Sequence, residues 1–407
     1  MPTDKTVRFT TALLAYYVAR ASCMSISISR RGLLRATGAV MAASSPHASR
    51  IAEPEVGGPR SQTLVGYSSR SIRLSTGTLV PVALWYPADQ DTAAALQATA
   101  AFASKPYRYR ISVSKIFQML LGIKPPFDIA REIELGSAHP DEVIAVAEGE
   151  MRKSQADLPA VVFCHGFLGS RFDFHHVCES LAAQGFVVAA PELPESLSAS
   201  FTPDEGTSRS AIVEKTVSLL QDDFSVGKAL GIMGHSAGGG TATSAPGDFQ
   251  LGRVAVAGFR SYEGPDPLLV IASEGDSLMS LSRIRSSLPP QTVVFENESG
   301  ARRYSSSSRP LPRSSALFLA NENGIDLLAA DGEKSPANSP CHISFLSAAT
   351  NDAMVKFLSP LLPLARILGV PLLDFDVYAL TRDSERTAEY VSPVLGKFFI
   401  NNAKNLL

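Results

Sequence analysis

Gly234-His235-Ser236-Ala237-Gly238-Gly239 constrains this chain more than any other stretch. It reads G-x-S-x-G directly after the apolar run Ala229-Leu230-Gly231-Ile232-Met233 and before a Gly/Ala/Thr-rich run. A short buried strand must therefore turn sharply into a helix, with Ser236 at the apex. Small residues two before and two after the serine let strand and helix pass closely. The helix start favours negative charge beside Ser236. The pattern predicts an activated serine nucleophile.

The flanking sequence supports a parallel sheet. Ala160–Cys164, Phe186–Ala190, Val254–Gly258 and Leu268–Ala272 are short apolar runs, as expected for strands buried on both faces. Val177–Gln184 and Ala211–Leu220 read as helices between them. Gln62–Pro87 reads as strands, and 89–157 as helical or irregular, with an amphipathic stretch at Lys115–Ile123. With the serine turn, this alternation resembles the α/β-hydrolase fold: a mostly parallel twisted sheet with helices on both faces. Gly300–Pro312 is rich in Ser and Arg and reads as a mobile loop, within a mobile or lid segment at 297–340. Ala353–Leu380 is apolar but broken by Pro360, Pro363 and Pro371, as a kinked helical stretch would be. Core or lid packing is the expected reading, with contact with a membrane surface as the alternative, and an apolar lid near the active site would suit an amphiphilic substrate. Arg382–Asn402 reads as a terminal helix.

Residues 1–52 hold seven basic residues and one acidic one, Asp4, and read as a targeting region. Thr10–Ala21 is apolar, and Ser29-Arg30-Arg31-Gly32-Leu33-Leu34-Arg35 is close to a twin-arginine signal. The two-stage layout predicts import into a plastid and then the thylakoid lumen. Export through a bacterial twin-arginine pathway is the alternative. The hydrolase domain is expected over 53–407.

The chain of 407 residues is 45% hydrophobic and 19% charged, with formal net charge −2. That composition suits a globular enzyme and offers no basic footprint for nucleic acid. Cys23, Cys164, Cys178 and Cys341 form no CxxC pair and no Cys/His set at metal spacing. They read as small buried apolar side chains. No metal and no cofactor is expected.

A serine nucleophile needs a base, and the base an orienting acid; in this fold they follow in the order Ser, Asp or Glu, His. Of His47, His139, His165, His175, His176, His235 and His342, only His342 follows Ser236. Asp276, just past the strand Leu268–Ala272, is the first choice for the acid, and Glu274 competes with it. Asp266 precedes that strand; Asp326 and Asp331 are less well framed. The oxyanion donors are expected to be the backbone N–H groups of Ala237 and of Phe167, in His165-Gly166-Phe167-Leu168-Gly169. His165 reads as structural.

Leu84-Trp85-Tyr86-Pro87-Ala88, Val162–Ser170, Gly185–Pro191 and the double-glycine elbow carry a narrower resemblance. Over about 65–280 the chain resembles platelet-activating-factor acetylhydrolases, dienelactone-hydrolase-like esterases, cutinase-like polyester hydrolases and chlorophyllases. The resemblance implies a serine carboxylester hydrolase that passes through an acyl-enzyme, needs no cofactor and acts on a lipid-like ester. The W-Y-P strand is most similar to the acetylhydrolases. Chlorophyllases share G-H-S-x-G-G but carry Arg at the Ala237 position, and Gly at the Cys341 position. Chlorophyllase activity, releasing phytol from chlorophyll, is the alternative. A non-catalytic receptor or scaffold of the same fold, and an acyltransferase sharing the site, are two more.

Overall fold

The structure is a computed structural model. It describes residues 63–88, 107–122, 125–126, 129–136, 143–147, 158–224, 226–276, 278–309, 311–320, 339–358 and 384–406. The targeting region 1–52, Asp326, Asp331 and the stretch 359–380 expected to be apolar and kinked lie outside these residues.

In chain order, β1 (Thr63–Arg73) and β2 (Leu79–Pro87) form an antiparallel hairpin. β3 (Tyr107–Ser112), α1 (Val113–Leu121) and β4 (Ala130–Leu135) follow, then β5 (Val143–Ala147), which pairs parallel with β1. The central part runs β6 (Leu158–Cys164), α2 (His175–Ala183), β7 (Val187–Pro191), α3 (Arg209–Phe224), β8 (Val226–His235), α4 (Ala237–Ser244) and β9 (Gly252–Val256). It continues with β10 (Leu268–Ser273), α5 (Leu281–Ser287), β11 (Val293–Glu296), α6 (Asn297–Ser306) and β12 (Ser314–Leu319). A 3-10 turn (His342–Phe345), α7 (Ala348–Leu358) and α8 (Ser384–Lys404) close the described chain.

Ten strands form one sheet in the order β11-β12-β10-β9-β8-β6-β7-β2-β1-β5. From β11 to β7 every pairing is parallel, and β2 lies antiparallel to both β7 and β1. This is the α/β-hydrolase fold. Alternate residues of each strand enter opposite cores, as the two-residue strand period requires. Val161 and Phe163 pack with Val177 of α2 and Phe398 of α8. Ala160, Val162 and Cys164 pack with Ile212 and Val213 of α3 and Ala242 of α4. Helices therefore cover both faces, and the apolar runs are continuous because neither face meets water.

Two stretches differ from the sequence reading. The region 89–157, read as helical or irregular, contains β3, β4 and β5, with β3 and β4 paired antiparallel in a second sheet. Tyr107, Tyr109 and Ile111 are buried and Arg108 and Arg110 exposed, a strand's alternation. The other correction concerns the segment 297–340. In its described part α6 replaces most of the expected mobile loop, and β12 is a buried strand between β10 and β11. Gly300, Ala301 and Tyr304 give α6 a buried face that packs on β11 and β12.

Candidate active site

β8 delivers Ser236 at the carboxyl end of the sheet. Ser236 has φ 54° and ψ −123°, a conformation that costs a non-glycine residue about 1–3 kcal/mol and persists only when its surroundings hold it. They do so here. The Ser236 N–H donates to the Val256 carbonyl at 2.9 Å, and its own carbonyl accepts the Gly239 N–H at 2.9 Å. A Cβ on Gly238 would overlap the Cys164 carbonyl oxygen and stand 2.7 Å from the His165 oxygen. Only glycine lets α4 start this close to β6.

The loop after β10 brings Asp276 to His342. The His342 Nδ1–H donates to Asp276 Oδ2 at 2.9 Å, and both side chains are buried. Asp276 Oδ1 accepts the Leu278 and Met279 N–H groups at 2.9 and 2.8 Å. The carboxylate is thus fixed at both oxygens, and a Nδ1–H tautomer leaves His342 Nε2 free to accept a proton. Glu274, the competing acid, is exposed, while Asp266 lies before β10 and pairs with Arg253 at 2.6 Å. Neither is brought to His342. Gly275 has no side chain to collide with Ser339 and Pro340, so the base loop rests directly on the acid loop.

Gly166–Gly169 forms the loop after β6. Leu168 takes φ 60°, its N–H donates to Glu195 O at 3.1 Å, and the Gly169 N–H donates to Gly166 O at 3.2 Å. The Phe167 N–H has no hydrogen bond among the described residues, and the residue is 39% exposed. Ala237 is the first residue of α4, a position whose backbone N–H has no partner inside the helix.

The polar frame beneath this loop escaped the sequence reading. His165 is fully buried; its Nδ1–H donates to Gly166 O at 2.7 Å, and its Nε2 accepts the Leu193 N–H at 2.8 Å. A nitrogen that accepts an N–H carries no proton, so His165 is neutral, and its 3.6 Å approach to Glu192 is not an ion pair. Burial first, then Arg209, lowers its pKa to about 3. Glu192, also fully buried, accepts Arg171 Nη1 at 2.8 Å and the Ser196 hydroxyl at 2.5 Å. Arg209 donates to His165 O at 2.9 Å and to Thr241 Oγ1 at 3.2 Å, and pairs with Glu195 at 2.8 Å. These partners lie 14 to 44 residues apart in all but the local pairs, beyond the reach of any spacing rule.

Among the described residues no group of three or more His, Cys, Asp and Glu side chains is placed to hold a metal ion, and no helix is long and apolar enough to cross a membrane. Cys164, Cys178 and Cys341 are buried thiols outside any disulfide.

Comparison with curated protein sequences finds no match. Similar solved structures include a ferulic acid esterase from Streptomyces cinnamoneus, at 17% identity, covering 84% of this chain and 91% of that one, with a TM-score of 0.42. An α/β serine hydrolase without lid from Xanthomonas campestris is 12% identical, covering 62% and 84%, with a TM-score of 0.34. A Pyrococcus furiosus esterase is 11% identical, covering 62% and 81%, with a TM-score of 0.33. The family described as platelet-activating factor acetylhydrolase, isoform II, matches residues 64–217. The alpha/beta hydrolase family matches residues 161–391, more than half of the chain and the whole span from β6 through the elbow to the His342 turn. By that match the chain belongs to the alpha/beta hydrolase family.

Proposed function

We propose that the chain is a serine hydrolase of lipid-like carboxylic esters, of the acetylhydrolase type. The observation that carries the catalytic reading is the Asp276–His342 hydrogen bond of 2.9 Å, formed at the carboxyl end of the sheet where the strained Ser236 stands. Ser236 Oγ attacks the ester carbonyl carbon while His342 Nε2 takes its proton. The carbonyl π pair moves onto oxygen, where the Phe167 and Ala237 N–H groups stabilise it. Collapse breaks the ester C–O bond, and the alcohol leaves with the proton from His342. Water, activated by His342, then cleaves the acyl-enzyme and restores Ser236. Asp276 holds the imidazole in the required tautomer throughout.

Two features support an apolar substrate. Phe167 and Leu278 are 39% and 41% exposed, and they stand on the loops that carry the oxyanion donor and the acid. The acetylhydrolase family pattern covers β1 through most of α3. A decisive assay gives the full-length protein a short-acyl phospholipid and chlorophyll in one micellar mixture, with Ser236→Ala as control. Free short-chain acid and lyso-lipid, absent with Ser236→Ala, are expected. Chlorophyllide instead would move the substrate to chlorophyll. Neither product, together with no fluorophosphonate labelling of Ser236, would overturn the enzyme reading.

A further inference from the structure

We infer that His235 is a positioning residue for the base: its Nε2–H tethers the backbone carbonyl of His342, so that the imidazole keeps its direction on Asp276. The inference rests on the serine-hydrolase reading above and adds a fourth side chain to it. His235 is the variable residue of G-x-S-x-G and the last residue of β8. Its side chain is buried. There its Nε2 lies 2.9 Å from His342 O. A carbonyl only accepts, so Nε2 carries the proton and donates.

The ring cannot easily move. Its centroid is 4.8 Å from that of His342, 5.6 Å from Phe174 and 6.4 Å from Phe345. A side chain at Gly166 would stand 3.4 Å from His235 Nδ1 and 3.0 Å from Ser236 Cβ, so the ring is wedged among elbow, oxyanion loop and base loop. Burial, followed by the nearby His342, holds its pKa well below the usual histidine value. A neutral ring here matters, because His342 becomes an imidazolium during acylation and a second cation beside it would oppose that charge.

Asp276 alone grips His342 by one ring nitrogen. A ring held at one atom can still swing about that bond. His235 adds a second point of attachment, on the backbone, and two points fix the direction of Nε2. Reacting groups must be placed within about an ångström, since errors of that size cost on the order of 100-fold in rate.

The test uses full-length wild type, His235→Phe, His235→Gln and His235→Asn. Phe fills the space without a donor, Gln carries an amide N–H at similar reach, and Asn is one methylene short. Three quantities are read: kcat and KM on p-nitrophenyl acetate, hydrogen exchange of the segment 339–346, and fluorophosphonate labelling. In His235→Phe, kcat should fall roughly 10- to 100-fold with KM changed less than about twofold, and 339–346 should exchange faster. His235→Gln should recover at least about tenfold of that loss and restore slow exchange. Equal behaviour of Phe and Gln, or unchanged exchange in Phe, overturns the tether and leaves a packing role. If His235→Phe does not fold, Gln against Asn makes the same comparison. Wild type that neither hydrolyses nor labels sinks the serine-hydrolase reading, whereas the tether stands or falls on the exchange data.

Discussion

Replacing Asp276 by Asn should reduce kcat by about four orders of magnitude, and the hydrogen bonds say why. Oδ1 accepts two backbone N–H groups, from Leu278 and Met279. An asparagine must keep its oxygen there, because an NH2 group would face two donors. Its NH2 is then forced toward His342 Nδ1, 2.9 Å away in the wild type. Two donors cannot share that bond, so His342 Nδ1 must give up its proton. The ring becomes the Nε2–H tautomer and can no longer accept the serine proton. A loss of about 10⁴ corresponds to about 5 kcal/mol of transition-state stabilisation. Nothing places Asp276 against substrate, so KM should stay within about threefold while kcat falls. Steady-state hydrolysis of p-nitrophenyl acetate measures both, and imidazole ¹⁵N shifts report the tautomer directly. Glu274→Gln is the matched control, since that side chain is exposed and should leave kcat within about twofold. The reasoning is refuted if Asp276→Asn retains a tenth of wild-type kcat, or if Glu274→Gln falls as far.

Gly238→Ala should destabilise by about 1–3 kcal/mol and abolish fluorophosphonate labelling, because its Cβ overlaps the Cys164 carbonyl of a central strand; urea titration and labelling check the two effects. Arg209→Met should lower kcat about tenfold and stability by about 1–2 kcal/mol, since it frees His165 O and the loop around Phe167. A thermal melt that falls while kcat holds would show that the loop keeps its shape unaided. Asp173 is fully buried, and burial first raises its carboxyl pKa from 3.8 to about 7. The folded state then holds a proton that the unfolded state releases, so stability declines as pH rises through about 4 to 7. Asp173→Asn lacks that slope and should gain about 3 kcal/mol on the wild type between pH 5 and pH 8 in denaturant titrations; a constant difference would mean that the carboxyl is ionised throughout.

How much could be read in the sequence depended on how local the cause was. The elbow is local: two glycines, a serine and an apolar strand specify it within ten residues. The strands from β6 to β10 are local too, since each is buried on both faces. β3 was equally legible, because Tyr107-Arg108-Tyr109-Arg110-Ile111 alternates strictly, as a strand with one buried face does. α6 was not. Asn297–Ser306 contains Asn, Gly and three serines, poor helix formers, and its helix exists because Gly300, Ala301 and Tyr304 pack on β11 and β12. Asp276 and Glu274 are two residues apart in the same loop, and no spacing separates them. Their difference lies in a turn that aims the Leu278 and Met279 N–H groups at one carboxylate and leaves the other in water.

The groups that hold the site are the least local of all, and a helix as short as α4 needs them. Eight residues span about 12 Å, and its last carbonyls have no partner inside the helix. Arg253, on the neighbouring β9, donates to Ala242 O at 3.0 Å, Ala245 O at 2.8 Å and Gly247 O at 2.8 Å. Its charge lies at the negative end of the helix dipole, and Asp266 at 2.6 Å offsets the cost of burying it. At the other end, Gly238 lies against Cys164 and Ser236 is bonded to Val256. α4 is thus fixed at both ends by residues outside it. In the proposed mechanism the Ala237 N–H meets a developing oxyanion, which requires that the helix axis does not tilt, so the buried Arg253 at the far end of α4 is expected to support the same geometry as the elbow.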